Sequence, residues 1–273
     1  MTIPDTGPES PAAEAGGAVL PVPGVHTATP LSLACTNFAL EMVSLMGPKL
    51  NLRRDVNDVL TATGVHLFWP LGILQRFQRY LANRNKDYDT WKGVGELSSA
   101  EFLARHANWN GLYDDTSIFY YVDEYVKQHG KDVLAVFQTT AAETASRVKK
   151  SKILLADNVE MLGNVLGLAR AERRLLFYGA LVKVQRELRA VLVACKVANS
   201  QEAYQLYANL IGCDRGEVQA ALRHGARLES LSLLEGVLPE SSVGDLGDLL
   251  KVSDKLMPIL LGEYASEAEM MAA

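Results

Sequence analysis

Arginine and glutamine side chains on helical stretches between residues 170 and 227 are the groups of this chain best placed to contact another molecule. Arg173, Arg174, Arg186 and Arg189 lie, with Lys183, off the apolar seam of a helical stretch that begins near Arg170. Arg215, Gln219, Arg223 and Arg227 follow in a short stretch opened by Asp214 and Glu217. Guanidinium groups donate in a fixed fork to carboxylates and phosphates, so an acidic protein surface and a nucleic-acid backbone are the partner classes to weigh. A solvated helix face is the partnerless meaning of the same pattern. Glu217 shares a small surface with Arg215, Gln219 and Arg223 and would repel phosphate, and Gly216 weakens the helix start. Both features favour a protein partner over DNA.

The residues of covalent, redox and metal chemistry are scattered. His26, His66, His106, His129 and His224 form no H-E-x-x-H or other paired ligand spacing. No G-x-S-x-G elbow and no G-x-x-x-x-G-K-[ST] loop occurs; Gly130-Lys131 lacks both the preceding glycine and the following hydroxyl. Asn85, Asp87, Asp89 and Glu96 fall at the first, third, fifth and twelfth positions of a calcium loop. Thr90 stands where that loop needs glycine and Lys92 where it needs an apolar residue. Ser98 and Glu101 form a capping box that starts the next helix too late for an exit helix. A polar connecting loop accounts for these residues better. The expectation is a chain without catalytic residues, cofactor or metal.

Composition sets the frame for the positioning elements. The chain has 273 residues, 48% hydrophobic and 22% charged, which permits a full globular core. Six of its ten prolines fall in the first thirty residues and none lies between Pro70 and Pro239, a distribution that suits helices and not a turn-rich β fold. The formal charge of −5 divides into −4 over residues 1–140, +4 over 141–236 and −5 over 237–273. Only the middle block is basic, and mildly, short of the strong footprint of a nucleic-acid binder. Cys35, Cys195 and Cys213 are odd in number and never in C-x-x-C spacing, which speaks against a disulfide framework or zinc site and for a reducing cytoplasm. No signal-peptide pattern and no run of roughly 18 apolar residues is present, so no membrane span is expected.

Hydrophobic periodicity then assigns an all-α array. Residues 1–30, rich in Pro, Gly, Ala, Ser and Thr, read as a disordered arm. A helical N-terminal domain is expected over 31–150, with helices over 31–46, 54–63, 71–83 and 101–107. Phe68 and Trp69 pack under a helix start. A face of Ile118, Tyr121, Val122 and Tyr125 precedes a break at Gly130, and a further helix covers 132–150. A second helical domain spans 151–262, followed by a tail over 263–273. In it Ser151 opens a helix through Leu166, closed by Gly167. The next carries a seam of Phe177, Leu181, Val184, Leu188, Val191 and Cys195. Ser200 caps a helix stopped by Gly212, and Asp214-x-x-Glu217 opens a short one through Arg223. Leu228, Leu231, Leu233 and Leu234 return to the core in a segment that could serve as a wing. The result is a helix-turn-helix or winged-helix-like unit near residues 200–236. The pattern of helix, glycine stop, apolar residue and restart occurs twice, at Leu166-Gly167-Leu168 with Glu172 and at Ile211-Gly212-Cys213 with Glu217.

Those repeated elements carry a resemblance. Leu166-Gly167-Leu168, Glu172-Arg173, Leu175-Leu176, Glu217-Val218, Ala221-Leu222, Ala226-Arg227-Leu228 and Leu233-Leu234 resemble the helical region that precedes the motor in a group of bacterial AAA+ ATPases. The likeness covers residues 155–262. Ala169 replaces a frequent capping serine and Cys213 the second leucine of an L-G-L. The family's nucleotide-binding residues have no counterparts here. The resemblance implies a non-catalytic adaptor or partner-recognition protein without its own nucleotide site, acting alone or beside a separately encoded AAA+ ATPase. The contact residues would be Arg173, Arg174, Arg186, Arg189, Arg215, Gln219, Arg223 and Arg227. A helix-turn-helix DNA-binding or regulatory protein using Arg215, Gln219 and Arg223 is the alternative.

Overall fold

A proline and a glycine set the limits of the first helix. In this computed structural model, which describes residues 18–25, 28–47, 51–84, 91–108, 117–235 and 246–273, α1 runs Pro30–Met46. Pro30 occupies its first turn, where no amide donor is needed, and Thr29 Oγ1 accepts from the Ser32 amide at 3.1 Å. Gly47 ends it at a φ of 48°. The N-terminal half continues with α2 (Leu52–Thr63), α3 (Leu71–Arg84), α4 (Ser99–His106) and α5 (Ile118–Lys150). The C-terminal half holds α6 (Leu154–Leu166), α7 (Arg170–Val184), α8 (Glu187–Ala194), α9 (Ser200–Ile211), α10 (Arg215–Leu222), α11 (Arg227–Ser230), α12 (Met257–Leu261) and α13 (Glu267–Ala272). The all-α class is what the periodicity specified. Ten side chains of α1 are buried, because the helix is covered on several sides by α2, α5, α7, α8 and α9. One buried cluster therefore runs from Val22 through both halves to Met270.

The end of the stretch read as an arm is built into the fold. Val19–Pro21 forms β1 and pairs antiparallel with β2 (Phe68–Pro70), Leu20 opposite Trp69. Val22 and Val25 are each only 1% exposed. A short apolar run next to an edge strand gains burial that composition alone did not register. Residues 1–17 lie outside the described residues. Phe68 and Trp69 are buried as expected, Trp69 stacked on Phe77 of α3 at 5.5 Å and Phe68 under the Arg147 guanidinium at 4.9 Å.

Asn85, Asp87, Asp89 and Thr90 of the calcium-loop pattern also lie outside the described residues. The remainder of that stretch is structural. Trp91 is buried against His106 and Tyr121, and Gln78 Nε2 donates to the Val94 and Leu97 carbonyls at 2.7 and 2.8 Å. Ser98 and Glu101 form the expected capping box of α4. The break expected at Gly130 is a kink inside α5, where His129 leaves helical geometry at φ −125° and ψ 41°. Asp132 fastens it: Arg76 of α3 donates two bonds at 2.9 Å, and the Tyr125 hydroxyl donates a third at 2.7 Å. These bonds hold the Asp132 carboxyl below its ordinary range, against the opposing effect of burial.

Several boundaries differ from the sequence reading. Ser151 ends α5 and does not begin α6; its hydroxyl donates back to Arg147 O at 2.9 Å. Asn199, and not Ser200, caps α9, its Oδ1 accepting from Glu202 N at 3.0 Å. The long seam is two helices. Gln185 is extended at φ −116° and ψ 98°, and its side-chain amide donates to Ala62 O at the end of α2 at 2.9 Å. Past this bend α8 packs against α2, and Leu188 and Val191 are buried while Val184 is left exposed. Residues 236–245, which follow the return segment expected as a wing, lie outside the described residues. The described part of that segment consists of α11 and an antiparallel bridge between Leu234 and Val252, flanked by backbone bonds from Glu235 N to Lys251 O and from Ser253 N to Leu233 O.

Candidate functional site

The site is built from two helix–glycine–helix corners, α6–α7 and α9–α10. Gly167 and Gly212 adopt left-handed backbone at φ 63° and 60°, a region glycine enters without steric cost. Beyond each glycine the next amide reaches back to the helix: Leu168 N to Gly163 O at 2.8 Å, Cys213 N to Ala208 O at 3.1 Å. A glutamate then turns back onto the start of the second helix. Glu172 Oε2 accepts from Ala169 N at 2.7 Å and Glu217 Oε2 from Asp214 N at 2.9 Å.

The corners are tied to the rest of the fold by arginines. Arg174 of α7 donates to the Ile211 carbonyl at the end of α9. Arg227 of α11 donates to the Gly167 carbonyl just past the end of α6. Both bonds place a cation where helix carbonyls lack intrahelical partners. Arg173 donates to Leu168 O at 2.9 Å, Glu160 at 2.7 Å and Asn164 Oδ1 at 2.8 Å. Arg189 pairs with Asp248 at 3.0 Å. Four of the eight side chains expected to meet a partner are thus engaged inside the chain. The other four, Arg186, Arg215, Gln219 and Arg223, are exposed and make no hydrogen bond or ion pair among the described residues. Arg215, Gln219 and Arg223 are spaced at four-residue steps, one helical turn each, and so form a single stripe along α10 and its end.

Beside that stripe lies an open groove of about 950 Å³ between the end of α6, the start of α7, α10 and α11. Val165 and Leu231, 41% and 43% exposed, line it together with Leu166 and Ala220. Arg223 and Arg227 stand at the same groove. Sequence reasoning identified the arginines, missed Val165 and Ala220, and sent Leu231 to the core with Leu228, Leu233 and Leu234, whereas Leu231 stays exposed at the groove while the other three are buried. The only signal for them is an apolar residue on the polar side of its own helix, and it gains meaning once three helices meet.

Cys35, Cys195 and the Ser32–His66 pair are poorly placed for covalent chemistry. Burial pushes the Cys35 and Cys195 thiols up to about 12, well away from the thiolate form. Ser32 Oγ lies 2.6 Å from His66 Nε2, yet His66 Nδ1 is buried without a partner, so no carboxylate orients the ring. Burial also lowers the His66 pKa to about 4. Among the described residues no three His, Cys, Asp or Glu side chains converge on a metal position, and no helix is long and apolar enough to cross a membrane. No protein-family model, curated protein or solved structure matches the chain.

Proposed function

We propose that this protein is a non-catalytic adaptor that recognises a protein partner through the exposed stripe of α10, as the region before an AAA+ motor would. The observation that carries this reading is the division among the arginines. Arg173, Arg174, Arg189 and Arg227 each donate to an acceptor inside the chain, whereas the side chains of Arg215, Gln219 and Arg223 have no partner among the described residues and follow one another along α10 and its end. Unpaired guanidinium forks on a rigid helix suit the carboxylates of an acidic surface. The partner class that follows from the sequence resemblance is a separately encoded AAA+ ATPase.

Capture of the partner by tagged full-length chain from its native cells, with identification by mass spectrometry, tests the proposal. Replacing Arg215, Gln219 and Arg223 together by alanine should abolish capture at unchanged thermal stability. Retention of the same partner by the triple variant defeats it.

The DNA-binding reading rests on the same stripe, carried by a helix that follows α9 across a short turn. Glu217 works against it, since its carboxylate shares the surface of the stripe and would repel phosphate. A salt-dependent mobility shift with duplex DNA, lost in the triple variant, would replace the protein-partner reading with this one.

A further inference from the structure

The groove beside the stripe has a chemical asymmetry that narrows what it can hold. Its carboxylates are committed: Glu172 and Glu217 each accept from a backbone amide at the start of their own helices. Glu229, next to the groove, accepts from Gly225 N and contacts His224. Its cations are less so. The Arg223 side chain makes no bond among the described residues, and Arg227 donates through Nη1 to Gly167 O, leaving the remainder of its guanidinium fork. Glu172 and Glu217 keep their charge at the helix starts, and the unfilled donors of the groove, those of Arg223 and the rest of Arg227, suit acceptors with negative charge. Val165 and Leu231 add exposed aliphatic surface within the same opening, and burying such surface is the main source of affinity in helix and peptide grooves.

We infer that this groove takes an acidic, aliphatic peptide segment of a partner protein. An aliphatic side chain is covered by Val165 and Leu231, and a neighbouring carboxylate meets Arg223 and the free edge of Arg227. This rests on the partner-recognition reading above and adds to it the place and the chemistry of the contact. The open shape favours a segment laid across the groove over an enclosed small molecule.

The test uses the full chain and three short fluorescent synthetic peptides, followed by polarisation at low and moderate salt. One carries leucine and glutamate at helical spacing, the second lysine for each glutamate, and the third serine for each leucine. The first should bind at least about ten-fold more tightly than the other two. Leu231→Asp and Arg223→Glu should each weaken it by about ten-fold or more, and Arg223→Glu should shift preference toward the lysine peptide. Both positions are exposed, so unchanged helical circular dichroism and melting temperature will accompany the loss. Equal binding of the three peptides, failure of the acidic one to bind, or indifference to both substitutions overturns the assignment. Loss of the cellular partner on replacing Arg215 and Gln219, with no effect of Leu231→Asp, would leave the adaptor reading standing and remove the groove from it. Selective peptide binding with a cellular partner indifferent to the α10 stripe would do the reverse.

Discussion

At the α6–α7 corner the sixth residue after the glycine is Arg173, and at the α9–α10 corner it is Val218. Four residues before the glycine the first corner has Gly163 and the second Ala208. These two exchanges belong together. A Cβ on Gly163 would lie 2.6 Å from Arg173 Nε and 2.8 Å from its Cγ, so the bare backbone is what admits the arginine stem. That stem then reaches three acceptors at the protein's edge. In the second corner Ala208 and Val218 are fully buried and nothing polar is needed. The backbone turn is the same in both, set by a left-handed glycine and a returning glutamate. What fills the angle of the turn is decided by whether that angle faces water or core.

The comparison breaks most readily where the core-facing corner is given the other's residue. Val218→Arg buries a guanidinium without acceptors and should cost about 4 kcal/mol or more in urea denaturation. A smaller loss near neutral charge screening would mean that α10 lifts away and that the corner is not part of the core. Acid provides a control located outside both corners, neither of which buries a histidine. In the unfolded chain the His66 ring takes a proton near 6.5, whereas the folded ring resists it until about 4. Falling pH therefore favours the unfolded chain: the loss begins near pH 6.5, approaches about 3 kcal/mol, and levels off below pH 4. His66→Gln should flatten that window while corner variants keep it.

Gly163→Ala should cost about 2 kcal/mol by displacing Arg173. Adding Arg173→Val, which copies Ala208 and Val218 into the first corner, should recover most of it; no recovery would show that the two exchanges are independent. Arg174→Met should cost about 1.5 kcal/mol, because the Ile211 carbonyl is left partly buried without its donor. That loss should exceed the one from Arg227→Met, whose bond is exposed, and equal losses in thermal melts would contradict the difference. The smallest change is a gain. Ala169 caps α7 in an extended conformation but offers no side-chain acceptor, whereas Asp214 stands at the equivalent position of the second corner. Ala169→Ser should stabilise by about 1 kcal/mol.

What was legible in the sequence is what depends on neighbours a few residues away. The glycine stops at 167 and 212, the returning glutamates, the Ser98 capping box and the buried faces of α5 and α6 all follow from local spacing. Cap positions slipped where two capping residues adjoin, as at Asn199 and Ser200. The bend at Gln185 was hidden because the apolar seam continues through it. Short strands leave little pattern, so β1 passed for an arm. The site was legible only in part. Helical periodicity finds that Arg174, Arg189 and Arg227 lie off a seam, but their acceptors sit 37 to 60 residues away in sequence. A residue spent on a distant carbonyl and one free to meet a partner look alike until the chain is folded.

The two arginine bonds also impose an order on how the fold is finished during synthesis. A chain emerging N-terminus first forms α7 before α9, so Arg174 is already in position when the Ile211 carbonyl arrives. The Gly167 carbonyl has no such waiting donor. It stays open until Arg227 follows 60 residues later, so the earlier corner is the later one to be sealed.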